Sequence, residues 1–537
     1  MKLIGQTTDE KLRGGFYTPA PIVSFIIKWG LNGNNGFDIL EPSCGDGAFI
    51  KILKNCKFNS VTGIELNKEE ALKSNSIGSP NTLILNSDFH KFCNSTNNKF
   101  DLILGNPPYI RYQFFNKEQQ VEAEKIIEKV GMKYSKLMNV WVSFIVGASL
   151  LLKEKGKIGF VIPAELLQVS YAKDLRNYLA NFYNKISIIS FRKLIFPSIQ
   201  QEVILLLCEK DSTETHKIDH IELENASELS NLDITKIKNP QKRIDFKSNK
   251  WTFYFLDQIE IDFLEELLES GLFSKIGDLS NVEVGITTGA NPFFTVPTSI
   301  VEKFDLQEFA KPMVGRSVQV KGLKFNNEDW IKNNNSKNRT NFLIFPPLSK
   351  MQHNIKALSY LEVGEREGIN KGYKCGIRDE WQIVPSVRIS DALFIRRNNI
   401  YPRLIINTAN AYTTDTMHRV WMKDGYDIES FVSSYYNSVS LAFAEVCGRS
   451  HGGGVLELMP NEVEQILLPY KKENKELLDI IDTNLRNGIS IDKILKATNA
   501  IILKKNFGFS LSDIALADRI RTKLSGRRIR RGKPNYV

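Results

Sequence analysis

The feature that most constrains the fold is an alternation of short apolar runs with helical stretches between residues 36 and 210. Five runs predict buried parallel strands, at residues 37–40, 60–64, 82–85, 101–104 and 158–162. Helical patterns lie between them, for example at residues 68–74 and 140–153. This alternation predicts an α/β sheet with helices on both faces. Two later runs, residues 186–191 and 203–207, predict an antiparallel hairpin that closes the sheet at its edge.

The character of the sequence changes after residue 210. Residues 211–270 are polar and mixed, which predicts a linker region, and residues 275–470 predict an irregular mixed α+β domain. The segment from 471 to 525 has helical periodicity, and a basic cluster between Arg527 and Lys533 predicts a disordered tail. A chain of 537 residues is too long for one core. We therefore expect three parts, residues 1–245, 246–470 and 471–537.

Net charge narrows the class of partner. The formal charge is +10 and the pI is about 9.0. A basic excess of this kind favours a polyanionic partner, nucleic acid first. The basic tail would then add affinity that depends on salt and not on sequence.

The six cysteines form no Cys-x-x-Cys pair and are too scattered for a disulfide framework or a zinc knuckle. The first residues, Met-Lys-Leu-Ile-Gly-Gln, lack the apolar centre of a signal peptide. No apolar run is long enough to span a bilayer. We expect a cytoplasmic protein with reduced thiols and no membrane partner.

A glycine-containing loop follows the first predicted strand, with the sequence Glu41-Pro-Ser-Cys-Gly-Asp-Gly47. Glu65 ends the second strand, where an acidic side chain can bind a pair of ribose hydroxyls. Asp88 follows the third strand, and it can accept a hydrogen bond from an adenine amino group or simply cap a helix. Phe89 can pack on the adenine ring or belong to the core. Together these residues predict a pocket for a ligand that carries adenosine.

The sequence of this loop excludes two common ligands. It lacks the third glycine of the dinucleotide fingerprint and the Gly-Lys-Ser/Thr of a phosphate-binding loop. Neither a hydride-transfer cofactor nor ATP is therefore expected.

The tetrapeptide Asn106-Pro107-Pro108-Tyr109 follows the fourth predicted strand. Two prolines fix the backbone and keep Asn106 out of the helical region. The result is a rigid loop at a strand end that offers one amide and one aromatic ring. Such a loop can accept hydrogen bonds from a planar exocyclic amine while the ring stacks on the base, or it can be an ordinary tight turn.

The order of these motifs resembles that of the bacterial γ-class DNA adenine-N6 methyltransferases, which depend on S-adenosylmethionine and belong to type II restriction–modification systems. The resemblance begins at Arg13-Gly-Gly-Phe-Tyr-Thr-Pro19 and covers roughly residues 10–210. It implies the class I methyltransferase fold, a Rossmann-like seven-stranded sheet with a closing antiparallel hairpin, followed by a target-recognition domain. It also implies duplex DNA as the partner, association with the nucleoid through that DNA, no metal, and a monomer that acts beside a cognate restriction endonuclease.

The resemblance also assigns roles to residues. The catalytic set is Asn106, Pro107, Pro108, Tyr109 and Phe196. The cofactor set is Tyr17, Thr18, Pro19, Glu41, Pro42, Ser43, Cys44, Gly45, Gly47, Glu65, Leu66, Asp88, Phe89, Asn106 and Pro108. Asn106 and the Pro107 carbonyl would accept hydrogen bonds from the amine of a flipped-out base, and Tyr109 and Phe196 would stack on its two faces. Asn139 either supports this loop or caps the next helix.

Segments of the second half resemble the target-recognition domains of these enzymes more loosely. They include residues 284–294, 413–419 and 448–458. Arginine and lysine are the usual contacts to guanine and phosphate. The candidate DNA contacts are Arg316, Lys374, Arg378, Arg419 and Arg449.

Other functions remain open at this point. Cytosine-N4 methylation uses the same chemistry. The Asn-Pro-Pro-Tyr loop also serves enzymes that methylate protein glutamine or RNA guanine, and a degenerate methylase fold could act as a DNA-binding specificity module. A fused nuclease would make the enzyme bifunctional, but we find no nuclease-like cluster of carboxylates and lysine.

Overall fold

The computed structural model describes residues 18–135, 138–193, 195–196, 202–211, 216–233, 242–243, 250–334, 338–451 and 453–531. The chain divides into two compact units, Met1–Ile261 and Asp262–Val537. The expected boundaries near residues 245 and 470 stay predictions.

The described part of the first unit contains a nine-stranded sheet. Its strands are β1 Asp38–Glu41, β2 Ser60–Glu65, β3 Thr82–Asn86, β4 Phe100–Gly105, β5 Leu152–Pro163, β6 Lys185–Phe191, β7 Val203–Glu209, β8 Lys217–Leu223 and β9 Lys242–Arg243. They lie in the order β3-β2-β1-β4-β5-β7-β6-β8-β9. The first five strands pair in parallel, and β7 runs antiparallel to both of its neighbours. The predicted class I methyltransferase fold is confirmed.

One helix precedes β1, and the others lie in the connections between strands, as crossovers between parallel strands require. They are α1 Ala20–Leu31, α2 Ala48–Leu53, α3 Lys68–Ile77, α4 Phe89–Ser95, α5 Lys117–Lys129, α6 Trp141–Leu150 and α7 Lys173–Phe182. The helix α8, Gln258–Glu269, crosses the boundary between the units. The apolar face of α1 carries Ile22, Val23 and Ile26, all fully buried. Gly30 of α1 lies against Leu102 of β4, where a β-carbon would clash with that side chain.

The sheet departs from the prediction at its far edge. The hairpin of β6 and β7 forms as predicted, but β8 pairs with β6 in parallel and extends the sheet. The prediction of a linker is therefore wrong for residues 217–223. The strand β8 has several partly exposed side chains, and a half-solvated strand near an edge does not need a continuous apolar sequence.

The second unit contains short strands and helices. Its strands are β10 Ser274–Lys275, β11 Ser280–Val284, β12 Thr295–Val296, β13 Ala310–Pro312, β14 Asn341–Leu343, β15 Ala392–Ile395, β16 Arg397–Asn398, β17 Leu404–Ile406, β18 Met417–Met422, β19 Arg449–Ser450, β20 Leu456–Glu457 and β21 Leu467–Leu468. Its helices are α9 Ile276–Leu279, α10 Asn291–Phe294, α11 Thr298–Lys303, α12 Asn327–Asn334, α13 Ile355–Arg366, α14 Tyr373–Gly376, α15 Ile428–Tyr435, α16 Ser438–Cys447, α17 Pro460–Val463, α18 Leu478–Arg486, α19 Ile491–Asn499 and α20 Leu511–Arg531. Among the described residues, the largest sheet of this unit has four strands in the order β11-β18-β15-β17. This agrees with the irregular mixed α+β texture that the sequence predicted.

The last helix corrects the prediction of a disordered basic tail. Helix α20 runs through Arg527 and Arg528 to Arg531, and it packs against α16. The Arg528 side chain is 1% exposed and lies 2.6 Å from the Glu445 carboxylate. Arg528 also donates hydrogen bonds to backbone oxygens of Asn399 and Gly454. The charge is thus compensated inside the unit, which a count of basic residues cannot reveal.

No helix in the described ranges is both long enough and apolar enough to cross a membrane.

Candidate active site

Four predicted motifs lie where β1, β2, β3 and β4 end, at one edge of the sheet. The order of these strands makes β1 a neighbour of both β2 and β4. The carboxyl ends of parallel strands are where open α/β sheets bind their ligands. The structure therefore brings the four predicted motifs to the same edge of the sheet.

Hydrogen bonds to its backbone atoms hold the glycine loop that follows β1. Gly45 and Gly47 adopt positive φ angles of 53° and 90°, which favour glycine. The Gly45 N–H donates to Glu65 Oε2 over 2.9 Å, and the Gly45 carbonyl accepts from Ser74 Oγ over 2.7 Å. The Cys44 N–H donates to the Ile64 carbonyl over 2.9 Å. The loop is therefore held against the end of β2.

Two glycines of this loop have different surroundings. A β-carbon on Gly47 would lie 2.6 Å from Ile77 and 3.2 Å from the Ser74 backbone, so Gly47 is required for close packing on α3. A β-carbon on Gly45 would meet nothing within 4 Å. Gly45 therefore borders open space at the strand end, and this space is available to a ligand.

Glu41, the last residue of β1, is a buried carboxylate at this edge. It is 2% exposed, and its Oε2 atom has no hydrogen-bond partner among the described residues. Burial, with the nearby negative charges of Glu65 and Asp46, raises the pKa of Glu41 well above its usual value. A cationic ligand group would remove this penalty. Cys44 beside it is also buried, and burial raises the pKa of its thiol.

Glu65 ends β2 with its carboxylate partly buried. Its two oxygens accept from the Gly45 and Asn67 amides over 2.9 and 2.8 Å. Burial raises the pKa of Glu65, although these hydrogen bonds oppose the shift. Leu66 follows with 59% of its surface exposed. An exposed leucine beside an acidic residue offers an apolar surface next to a hydroxyl acceptor.

Asp88 and Phe89 have distinct positions after β3. The Asp88 carboxylate caps α4 by accepting from the His90 and Lys91 amides over 2.8 and 3.1 Å. Phe89 is 2% exposed and stacks on Phe144 at 4.7 Å between ring centroids. Phe89 thus belongs to the core, where its ring packs on another ring of the protein.

The Asn-Pro-Pro-Tyr loop, residues 106–109, adjoins the glycine loop. Ser43 Oγ donates to the Asn106 carbonyl over 3.2 Å. Pro107 is buried, and Pro108 is partly buried. The Tyr109 hydroxyl donates to the Val161 carbonyl on β5 over 3.0 Å, and burial raises the pKa of Tyr109. The loop is therefore attached to the glycine loop on one side and to β5 on the other.

Phe196 lies in the same hydrophobic cluster against which Tyr109 packs. Its ring is 6% exposed. The structure thus brings both predicted stacking rings into one region of the first unit, although they lie far apart in the sequence.

The segment that follows the loop pairs with the residues before α6. Arg111 and Asn139 form an antiparallel bridge, and the Val140 N–H donates to the Ile110 carbonyl over 2.8 Å. Helix α6 has no side-chain hydrogen bond at its N-cap, which is Val140. The backbone at Asn139 and Val140 therefore braces the chain that leaves the loop, and the role of the Asn139 side chain stays a prediction.

The N-terminal motif is only partly described. Pro19 precedes α1, and its carbonyl accepts from the Ile22 and Val23 amides, so Thr18 and Pro19 open a helix as predicted. The Thr18 side chain is 8% exposed. Tyr17 lies outside the described residues.

The five predicted DNA contacts separate into two groups. Arg316 and Lys374 are exposed on the second unit. Arg378 donates to the Thr288 carbonyl over 2.6 Å, and Arg449 donates to Glu462 over 2.9 Å. Arg419 is 5% exposed and donates to Val284, Ser386 and Glu283. Expecting Arg419 to be a free surface contact was wrong, because its guanidinium joins parts of the second unit.

Several residues that shape the site were missed from sequence. Ser74 Oγ donates to the Gly45 carbonyl in the glycine loop. Asn86 Nδ2 donates to the Glu65 and Leu66 carbonyls at the end of β2. Gln119 Nε2 lies 3.3 Å from Asp88 Oδ2. Gln119 is also part of a capping box with Asn116 at the start of α5. The Asn-x-x-Gln spacing was a readable signal for the helix start, but not for the contact with Asp88.

No group of three or more His, Cys, Asp or Glu residues suited to a metal ion occurs within the part of the chain that the structure describes.

Comparison with known proteins identifies both halves of the chain. Residues 47–196 match the family model "Eco57I restriction-modification methylase", and residues 248–503 match "Type II methyltransferase M.Eco57I, C-terminal domain". The type II methyltransferase M.AccI of Acinetobacter calcoaceticus is 24% identical over 469 residues, which are 84% of each chain. M.HindII of Haemophilus influenzae is 25% identical over 52% of this chain and 55% of its own.

A solved structure shows the same fold. The type IIL restriction–modification enzyme MmeI, solved in complex with DNA, has a TM-score of 0.55 and is 10% identical, covering 95% of this chain and 75% of its own.

The fold and the site together define a class I methyltransferase that uses S-adenosylmethionine. The residues present fit this cofactor, because Glu41, whose Oε2 atom has no hydrogen-bond partner among the described residues, and the open space beside Gly45 both lie at the strand ends. The matched family models and relatives together support a γ-class methyltransferase of type II restriction–modification systems.

Proposed function

We propose that this protein methylates the N6 amine of a specific adenine in duplex DNA and is the modification enzyme of a restriction–modification system. The observation that carries this proposal is the attachment of the Asn-Pro-Pro-Tyr loop to the glycine loop by the bond from Ser43 to the Asn106 carbonyl. This bond joins a loop suited to an exocyclic amine with a loop suited to the methyl donor.

Residues at the strand ends would hold S-adenosylmethionine, which supplies an electrophilic methyl group when bound. The Glu41 carboxylate suits the ammonium group of its methionine part, because Glu41 is buried and its Oε2 atom has no donor among the described residues. Glu65 suits the ribose hydroxyls, and the exposed Leu66 suits a face of the adenine. Asp88 suits the adenine amino group. Tyr17, Thr18, Pro19, Pro42, Ser43, Cys44, Gly45, Gly47, Asn106 and Pro108 complete the proposed cofactor set. Phe89 would support the site only from the core, where it stacks on Phe144.

The target amine would be oriented by the Asn106 side chain and the Pro107 carbonyl. Both oxygens accept hydrogen bonds and thereby localise the lone pair on the amine nitrogen. Positioning and directed dipoles of this kind lower the barrier without a strong general base. Because Tyr109 is anchored through its hydroxyl to Val161, its ring offers a fixed face for a flipped base. Phe196 would cover the opposite face.

Duplex DNA is the proposed substrate, and the net charge of +10 supports it. Arg316 and Lys374 are the proposed contacts on the second unit, since both are exposed. We propose that the enzyme acts as a monomer on DNA of the cell's nucleoid, beside a cognate endonuclease. A bifunctional enzyme is the alternative suggested by one relative, whose name is "restriction enzyme and methyltransferase".

The direct test is to methylate unmodified plasmid DNA with the purified protein and to map the products by modification-sensitive sequencing. N6-methyladenine at one recurrent sequence supports the proposal. N4-methylcytosine as the product would instead identify the protein as a cytosine-N4 methyltransferase. Unmodified DNA together with methylated RNA or protein would reject a DNA substrate, and cleaved DNA would reveal a bifunctional enzyme.

Asn106→Ala tests the chemistry of the loop. Loss of a transition-state hydrogen bond from a preorganised site lowers kcat by about 10²–10³-fold, and we expect a loss of kcat of this size. Asn97→Ala is the matched control, because Asn97 is exposed after α4. Full activity of Asn106→Ala would exclude the proposed role of the loop.

A further inference from the structure

A buried histidine lies beside the proposed cofactor site and has no role in the chemistry described above. His90 and Ser143 are both fully buried. His90 Nε2 is 2.7 Å from Ser143 Oγ, at hydrogen-bond distance. His90 Nδ1 is 3.3 Å from Asp88 Oδ1, an electrostatic contact, and it has no hydrogen-bond partner of good geometry among the described residues. The imidazole thus lies between a hydroxyl on α6 and the carboxylate that follows β3.

The chemistry of the two partners identifies the neutral form of the ring that suits this position. A carboxylate only accepts hydrogen bonds, so the nitrogen that faces Asp88 should carry the hydrogen. His90 Nε2 then accepts from the Ser143 hydroxyl. Ser143 Oγ is also 2.9 Å from the Val140 carbonyl, so its single hydrogen is shared between two acceptors. The opposite tautomer would direct a lone pair at the carboxylate.

Asp88 is oriented from three sides. The α4 amides of His90 and Lys91 donate to Oδ1, Gln119 approaches Oδ2, and the His90 ring lies next to Oδ1. Burial alone would raise the pKa of Asp88, but these partners outweigh it, the His90 ring first, and the pKa is lowered. Asp88 is therefore a carboxylate whose direction is fixed by its surroundings.

The same histidine contacts the chain that leaves the Asn-Pro-Pro-Tyr loop. Its ring meets Phe115 edge-on at 5.7 Å and Phe144 edge-on at 5.0 Å. The neighbouring Gln120 donates to the Tyr112 and Phe115 carbonyls over 3.1 and 2.8 Å. On α6, Ser143 is close to Val140, whose amide binds Ile110. His90 thus connects the Asp88 carboxylate with residues 110–115.

We propose that His90 is a positioning residue. It orients the Asp88 carboxylate so that Asp88 selects for the adenine amino group of the cofactor. It also connects this contact with the segment that follows the catalytic loop. The inference rests on the proposed contact between Asp88 and the cofactor. It adds a residue that touches neither the cofactor nor the base, and it predicts a selectivity for the base of the cofactor.

The alternative is that His90 only fills space among aromatic rings. A leucine of similar volume would then serve equally well, apart from packing differences that affect every ligand alike. The polar contacts to Ser143 and Asp88 distinguish the two views, because a packing role does not depend on them.

The test compares two ligands that differ at one position of the base. S-adenosylhomocysteine carries the 6-amino group, and S-inosylhomocysteine carries an oxygen there. Their binding is measured by calorimetry on the full chain, without DNA. Wild-type protein should prefer the adenosyl ligand. His90→Leu should bind it about tenfold more weakly, the size of a hydrogen bond to a charged group, while binding of the inosyl ligand stays within twofold of wild type.

Two further variants separate positioning from packing. His90→Asn places an amide donor near Asp88 and should recover most of the preference. His353→Leu is the control, because His353 is exposed in the second unit and should change neither affinity. Should His90→Leu not fold, Ser143→Ala gives the second measurement, with a smaller loss confined to the adenosyl ligand.

Equal losses for both ligands in His90→Leu, or no recovery in His90→Asn, would overturn the proposal. A wild-type protein without preference between the ligands would overturn it as well, since Asp88 would not contact the amino group. A failure of the proposed function is distinct from these outcomes: the ligands bind as expected, but DNA remains unmethylated.

Discussion

At the scale of single residues, Glu41 is the clearest sign of what the site is built to hold. A buried carboxylate is costly without a partner. Because Glu41 ends β1 at the glycine loop and its Oε2 atom has no hydrogen-bond partner among the described residues, we propose that it binds a cationic ligand group. Glu65 and Asp46 increase the cost through repulsion. The free protein is therefore electrostatically unfavourable at this point, and a bound ammonium group would relieve it.

This leads to a prediction about pH. Because the pKa of Glu41 is raised in the folded protein, its carboxyl stays protonated above its usual value of 4.5. Affinity for S-adenosylhomocysteine should therefore increase as pH rises through the raised pKa, as Glu41 ionises. Glu41→Gln should bind more weakly and lose most of this dependence. Calorimetric Kd values at a series of pH values measure both effects.

Stability of the free protein gives the control, with the opposite sign. A carboxyl whose pKa is raised on folding stabilises the folded state fully below the unfolded value, and this contribution is lost as pH rises through the folded pKa. The ligand-free protein should thus become less stable over the pH range in which its affinity increases. A wild-type affinity that is constant with pH would contradict this role of Glu41.

Residue types at the site were predictable, but their surroundings were only partly so. Asn106, Tyr109, Glu41 and Glu65 are identified by their places after strands, because strand ends are local features. The burial of Phe89 depends on Phe144, which is distant in sequence. Likewise, nothing near Arg419 in the chain indicates that Val284 and Ser386 will accept its hydrogen bonds.

At the scale of elements, a buried ion pair links α20 to α16 within the second unit. Glu445 of α16 and Arg528 of α20 are 4% and 1% exposed. Breaking such a pair by removing one partner leaves a buried charge and costs about 3–5 kcal/mol. We expect Arg528→Met to lower the free energy of unfolding by this amount in chemical denaturation.

A matched control lies on the same helix. Arg530 is exposed, so Arg530→Met should change the unfolding free energy by less than about 0.5 kcal/mol. Replacing both partners, with Glu445→Leu and Arg528→Met, should recover part of the loss because no charge stays buried. Equal effects of Arg528→Met and Arg530→Met would show that the ion pair is unimportant.

The helices and strands differ in whether neighbouring residues or distant residues determine them. Strands β1 to β4 contain short apolar runs and were predicted within a few residues. Strand β5 was predicted only over its apolar second half, because its first half, from Leu152, is charged. The strand β8 was assigned to a linker because its pattern is mixed, and its pairing with β6 comes from distant residues. The end of α20 was assigned to a tail because its arginines look solvated until Glu445 and two backbone carbonyls are placed beside Arg528.

At the scale of the whole molecule, the excess of positive charge should appear in how DNA binding depends on salt. Each phosphate contact contributes about −0.9 to the slope of log K against log salt. Arg316→Gln and Lys374→Gln should each reduce the steepness by about one, the change expected for one lost phosphate contact. Fluorescence anisotropy with a labelled duplex at several salt concentrations measures these slopes.

Lys54→Gln is the control for this measurement. Lys54 is exposed and follows the end of α2 that is remote from the glycine loop. This substitution removes the same charge from the chain as the other two, but it removes no expected phosphate contact. The slope of log K against log salt should therefore change little. If all three variants changed the slope equally, net charge and not specific contacts would explain the binding.

The position of β7 has a consequence for the synthesis of this chain on the ribosome. β7 separates β5 from β6, although it is synthesised after both. Until Glu209 has emerged, the backbone groups of β5 from Lys157 to Pro163 therefore lack their final partner. At translation rates of about 5–20 residues per second, the 46 residues from the end of β5 to the end of β7 take about 2–9 seconds. During that interval the nascent chain exposes the unpaired edge of an apolar strand. We expect chaperones to bind the chain at this stage.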